Sequence, residues 1–180
     1  MDNLLAASEN GRGTQVTEAK QTFGMLALDI ASKLTGLEYV QGLRDMRFPA
    51  PPFTEVADIR PTVAERGRIT FEGVPSPRFL NPMGVIHGGW VSLLLDTTMG
   101  CAVHSVLDAG YAYTTIDLRT TLVKSVRATK PVRCEATLLH AGSRVASAEA
   151  RLLDADGSLL AHGSQTCLIM RIDTPPPVAS

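Results

Sequence analysis

The residues from Asn81 to Gly100, reading NPMGVIHGGWVSLLLDTTMG, hold the groups best placed to do chemistry. His87, Gly88 and Gly89 stand where a Gly-containing turn runs into an apolar stretch, and one carboxylate, Asp96, lies among Leu93, Leu94, Leu95 and Met99. An unpaired charge among apolar residues is costly, so Asp96 demands a partner or a function. Backbone N–H groups at a helix start face negative charge favourably. Aimed at a reacting carbonyl oxygen, they stabilise the charge that develops there. A polarising helix end and an isolated carboxylate are the parts of a hydrolytic site, the carboxylate serving to take a proton from water.

Spacing then restricts how these parts combine. Gly88 and Asp96 are eight residues apart on one expected helix. That separation is roughly 12 Å along the axis and about 80° around it. A carbonyl held at Gly88 is out of reach of water activated at Asp96 of the same chain. The two groups meet only if a second chain supplies one of them. Each residue also has a plainer reading. Asp96 pairs with a cation such as Arg119 or caps a neighbouring element. His87 is either a helix-start residue bonded to backbone or a group that touches substrate. Ser92 lacks the strand–turn–helix elbow of serine hydrolases. His104, His140 and His162 show no metal-ligand spacing and read as structural or solvated.

The elements that must position these residues follow from periodicity. Phe23, Leu26, Ala27, Ile30 and Leu34 recur at helical spacing, which predicts a helix from Thr22 to Leu34 stopped by Gly36. A shorter helix is expected from Leu37 to Met46. The run Phe48-Pro49-Ala50-Pro51-Pro52 then reads as a linker without regular structure. Val56 to Val63 and Arg68 to Gly73 read as strands joined by a turn at Glu65-Arg66-Gly67, with Pro61 suited to an edge. The helix from Gly88 to Leu107 is apolar on nearly every side, so it is expected to be buried. Four further strands are expected, at Ala112–Val123, Val132–His140, Arg144–Leu153 and Leu159–Ile169. Asp154-Ala155-Asp156-Gly157 and Gly142-Ser143 are turn sequences between them. Alternation is clearest where Ala146, Ala148, Ala150 and Leu152 interleave with Ser147, Glu149 and Arg151. Such small residues let a helix approach a sheet closely. One long helix against a mainly antiparallel sheet of five or six strands is an α+β arrangement. Its uncovered edges invite pairing between subunits.

Composition sets outer bounds. A chain of 180 residues is long enough for one domain with a substantial core, and a formal net charge of −1 gives no electrostatic case for nucleic acid. Cys101, Cys134 and Cys167 lie in apolar or strand-like segments and read as buried thiols in a reducing compartment. With no secretory leader pattern and no apolar run long enough to span a bilayer, a soluble cytoplasmic protein is expected.

Asn81, Gly84, His87-Gly88-Gly89 and Asp96, followed by Thr114-Thr115-Ile116-Asp117, are together similar to the hotdog-fold thioesterases of the phenylacetate-degradation (PaaI-type) branch. The resemblance spans about Phe53 to Met170. It implies a hotdog domain over residues 53–172. Residues 1–52 lie outside the resemblance and read as a loose tail to about residue 20 followed by a helical extension, and 173–180 read as a disordered tail. The resemblance further implies hydrolysis of acyl-CoA thioesters by a homodimer, often a dimer of dimers. No metal or cofactor is called for, coenzyme A being part of the substrate. Gly88 would offer its N–H to the thioester carbonyl, Asn81 and His87 would shape that pocket, and Asp96 would be general base or nucleophile. A hydroxyl from Thr115 or Thr114 would place the attacking water, with Thr115 favoured because it directly precedes the Ile116-Asp117 step. Gly89 belongs to the same helix start. Trp90 is core or interface packing, or else lines the acyl pocket. Lys124 and Arg127, with Lys130 nearby, are a solvated face or a contact for the coenzyme A phosphates. Two alternative functions share the scaffold: a non-catalytic acyl-CoA-binding protein, and an acyl-thioester hydratase or dehydratase, for which no Asp/His motif is seen.

Overall fold

A helix that is apolar on every side has to be wrapped, and the fold is organised around that requirement. The computed structural model describes residues 20–172. The loose tail expected before residue 20 and the C-terminal tail at 173–180 lie outside the described residues. Three short helices come first: α1 (Leu28–Ala31), α2 (Gly36–Arg44) and α3 (Pro52–Ala57). Strands β1 (Ile59–Glu65) and β2 (Arg68–Gly73) follow, then the long helix α4 (Gly88–His104). The chain ends in β3 (Tyr111–Leu122), β4 (Val132–Ala141), β5 (Val145–Asp154) and β6 (Leu159–Arg171). The six strands form one antiparallel sheet in the order β1-β2-β4-β5-β6-β3, leaving β1 and β3 as its edges.

The sheet curls around α4, whose Trp90, Leu94, Leu95, Met99 and Val103 are buried. Ala146, Ala148, Ala150 and Leu152 of β5 face the helix and are fully or almost fully buried, as their alternation requires. The turns follow the sequence chemistry. Gly67 and Gly157 take positive φ, and Asp154 accepts the N–H groups of Asp156 and Ser158 at 3.0 and 2.8 Å. Pro61 lies on edge strand β1 beside a break in register, where its missing N–H leaves no ladder bond unmade.

The N-terminal region departs from expectation. No continuous helix runs from Thr22 to Leu34. Phe23 bridges to Ala50, with Gly24 donating to the Ala50 carbonyl at 2.9 Å and Ala50 to that of Thr22 at 2.8 Å, and only the single turn of α1 is helical. The apolar spacing there has no facing partner, since Phe23 and Ile30 remain 40% and 46% exposed. Helical stability in proteins comes mainly from packing an apolar face, so the segment pairs its backbone with the Ala50 segment instead. The next helix begins at Gly36 because Thr35 and Glu38 form a capping box. The Pro-rich linker is not free of regular structure. Pro52 opens α3, a position where its missing N–H is harmless. Val56 and Ala57 therefore end a helix, and Asp58, with φ of 53°, turns the chain into β1.

Candidate active site

The start of α4 is built by the turn before it. Asn81 accepts the N–H groups of Met83 and Val85 on its side-chain oxygen at 2.9 and 3.3 Å. Its own N–H donates to the Val85 carbonyl at 2.8 Å. Asn81 therefore shapes the loop through backbone bonds. His87 is the N-cap of α4, its Nδ1 accepting the Gly89 N–H at 2.9 Å. A neutral imidazole with Nδ1 as acceptor carries its proton on Nε2. Gly89 thus spends its donor on the cap. Gly88, the first helical residue, has no intrahelical acceptor for its N–H. Among the described residues no other group accepts it. A Cβ at Gly88 would stand 2.9 Å from a methyl of Leu122, at the far end of β3.

Two turns further on, Asp96 and Thr97 lie on the side of α4 that the sheet leaves half-covered. Thr115 of β3 donates to Asp96 Oδ1 at 3.0 Å. The side-chain amide of Gln165 on β6 donates to the same oxygen. It also reaches Thr115 Oγ1 at 2.7 Å and the Asp96 carbonyl at 3.4 Å. Asp96 Oδ2 has no partner among the described residues. One carboxylate oxygen is thus fixed by two donors while the other is free. Gln165 is 1% exposed and its Oε1 is buried without a partner. With the amide turned over, Oε1 would face the Asp96 carboxylate, acceptor against acceptor. The orientation with Nε2 inward gives that carboxylate a donor.

A bulge decides between the two threonines. Register in β3 breaks between Thr115 and Asp117 opposite Cys167 and Thr166, leaving Ile116 unopposed. The extra residue shifts the alternation, so that Tyr113 and Thr115 face α4 on one side of it and Leu122 on the other. Thr114 points to solvent. Bulges next to sites re-aim side chains in this way. Nothing in the sequence singles out Gln165, an amide in the series Ala161, Gly163, Cys167 and Ile169 whose inward direction only the strand register shows.

The remaining candidates are dispersed. Trp90 is 2% exposed, donates its indole N–H to the Ala57 carbonyl at 3.0 Å and packs on Phe79, so it sits in the core. Arg119 pairs with Asp117 at 3.6 Å, and among the described residues Asp96 has no cationic partner. Lys124, Arg127 and Lys130 line one recess of about 440 Å³, together with Asp154 and Asp156. His140 and His162 are exposed. Among the described residues no cluster could hold a metal ion, and no helix is long and apolar enough to cross a membrane.

Around Asp96 the other titratable groups stay neutral. Burial, reinforced by the Asp96 charge, pushes the Cys101 thiol up to about 12 and the Cys167 thiol up to about 11. Burial also pushes the Tyr113 phenol far up and brings His104 down to about 4. A nucleophilic thiolate is therefore unavailable at neutral pH. The arrangement supplies one fixed carboxylate, one hydroxyl and, at a distance, one unpaired backbone donor.

Known proteins resemble this chain in sequence and in fold. Residues 83–161 match the family model of the thioesterase superfamily. The fold is that of a phenylacetic acid degradation-related protein from Ralstonia eutropha JMP134, described as a candidate thioesterase. That likeness has a TM-score of 0.67 at 24% identity and covers 72% of this chain and 98% of the other. A conserved protein from Pseudomonas aeruginosa is similar with a TM-score of 0.62 at 28% identity, over 66% of this chain and 94% of that one. A Streptococcus mutans protein solved with acetyl-CoA shares the fold with a TM-score of 0.59 at 18% identity, over 63% and 90% of the two chains. Comparison with curated protein sequences gives no match. The chain thus has the hotdog fold, and the superfamily match supports thioester hydrolysis in general.

Proposed function

We propose that this chain hydrolyses acyl-CoA thioesters to a free acid and coenzyme A, with each site shared between two subunits. The observation that carries the reading is the Asp96 carboxylate. Thr115 and Gln165 hold one of its oxygens, the other has no partner among the described residues, and Asp96 lines a cavity beside neutral neighbours. A group so placed can take a proton from water. The Gly88 N–H at the start of α4 in the other subunit polarises the thioester carbonyl. Water adds to that carbonyl carbon as Asp96 takes its proton. Collapse of the tetrahedral intermediate breaks the C–S bond, and the thiolate leaves and takes up the proton. A thiol's pKa near 8.5 makes it a good leaving group, so the reaction asks for no metal or cofactor.

Lys124 and Arg127 are suited to the phosphates of coenzyme A, a reading favoured by a protein of this fold that binds acetyl-CoA. Three unpaired, buried cysteines fit a reducing compartment such as the cytoplasm. The test is incubation with a panel of acyl-CoAs and a thiol reagent, for wild type and Asp96→Asn. Thiol release by wild type and its loss in a folded Asp96→Asn protein are expected. Hydration without thiol release, or binding alone, would replace the proposal with one of the two other readings.

A further inference from the structure

The loop that carries Lys124, Arg127 and Lys130 is fastened to the start of α4. Val126, in its middle, is buried, and its carbonyl accepts the Ile86 N–H at 3.1 Å, one residue before the His87 cap. The Val123 and Lys124 N–H groups both donate to the Leu160 carbonyl, at 2.8 and 3.0 Å, which fixes where the chain leaves β3. Leu122, the last residue of that strand, has a methyl 2.9 Å from where a Cβ on Gly88 would stand. The basic loop and the Gly88 N–H therefore share one end of the molecule. Asp96 lies elsewhere. Its partner Thr115 stands seven residues before Leu122, one of them taken up by the bulge. That is a separation of roughly 20 Å along the strand.

The recess beside the loop is suited to an anion. Its three cations stand against two carboxylates, Asp154 and Asp156. Asp154 Oδ1 is engaged by the N–H groups of Asp156 and Ser158. Among the described residues none of the three cations is in an ion pair, so their donors remain for phosphate oxygens. Pro131, Val132, Asp154 and Ala155 line both this recess and the larger cavity of about 960 Å³ that Asp96 lines. A molecule seated in the recess thus has two ways to a carboxylate. One leads over the start of α4 to Asp96 of another subunit, the other along the cavity to Asp96 of its own. Only the first passes Gly88, which does not line that cavity.

We propose that the recess of each subunit holds the phosphates of the coenzyme A whose thioester carbonyl is polarised by Gly88 of that same subunit, while the other subunit supplies the base. The inference rests on acyl-CoA hydrolysis at shared sites being the activity. Its test uses mixed dimers, made by unfolding two variants together and refolding them. In the first mixture Asp96→Asn meets a chain carrying Gly88→Pro, Lys124→Glu and Arg127→Glu. In the second the two charge reversals ride with Asp96→Asn, and the other chain carries Gly88→Pro alone. Each mixed dimer has one site with both Gly88 and Asp96 intact. In the first mixture the subunit giving Gly88 to that site keeps its basic recess, and the KM for acyl-CoA is expected to match wild type. In the second that subunit has the reversed recess, and KM rises at least about tenfold, the loss of one charged hydrogen bond. An acyl-pantetheine, which has no phosphates, is hydrolysed equally by both. Should a triple variant fail to fold, Arg127→Glu alone replaces the two reversals. A raised KM in the first mixture, the same KM in both, or a difference that persists with acyl-pantetheine overturns the inference and leaves hydrolysis standing. If Asp96→Asn mixed with Gly88→Pro alone regains no activity, or wild type releases no thiol, the shared-site reading falls and the inference with it.

Discussion

Asp96 Oδ1 takes two side-chain hydrogen bonds and Oδ2 none, so the carboxylate is aimed as well as held. Gln165 does most of the aiming because its amide touches both Asp96 and Thr115. Gln165→Leu is expected to lower kcat about 10- to 100-fold with little change in KM, the equivalent of a charged hydrogen bond worth about 1.5–3 kcal/mol. A folded variant with unchanged kcat would reduce Gln165 to a structural role. This residue also marks the limit of what the sequence discloses. Asp96 was legible because a carboxylate in an apolar helix is anomalous on its face. Thr115 was half-legible, since an unseen bulge at Ile116 decides which threonine turns inward. Gln165 was illegible, because an amide in a strand resembles any solvent-facing polar residue until the register is known.

Among the elements, α4 and strands β2 to β6 could be read within a few residues, since each carries its own period and turn chemistry. The N-terminal elements could not. Their shape depends on what they pack against: the Ala50 segment draws Phe23 into an extended bridge, and Pro52 starts a helix where a linker was expected. Gly36 shows how tightly one of them is bound. A Cβ there meets the His104 carbonyl oxygen, which belongs to backbone and has no flexible end to yield. Gly36→Ala is expected to destabilise the fold by about 1–3 kcal/mol or more, the range for overpacking a close contact. It should also expose the bonds after Arg44 and Arg47 to trypsin as α2 lifts away. Unchanged urea unfolding together with unchanged proteolysis would show that α2 is only loosely attached.

At the scale of the whole molecule the problem is distance. Gly88 and Asp96 both belong to the one unbroken helix α4, roughly 12 Å apart along its axis. Edge strand β3, with Ile116 58% exposed, offers a row of unpaired backbone groups to a second copy. A two-fold pairing there would bring the helix start of one subunit towards the carboxylate of the other. Gly88→Pro isolates the helix-start donor. Proline is tolerated at the first helical position. His87 already has the extended backbone that must precede a proline, and only a movable Leu122 methyl stands in the way. Losing one oxyanion donor costs about 10²- to 10³-fold in kcat, so Gly88→Pro should fold and nearly lose activity, as should Asp96→Asn. Each variant nevertheless keeps the half that the other lacks. Unfolded together and refolded as a mixture, the two should regain about a quarter of wild-type activity, because half the dimers are mixed and each mixed dimer has one intact site of two. If Gly88 and Asp96 served the same site within one chain, the mixture would stay as inactive as its parts.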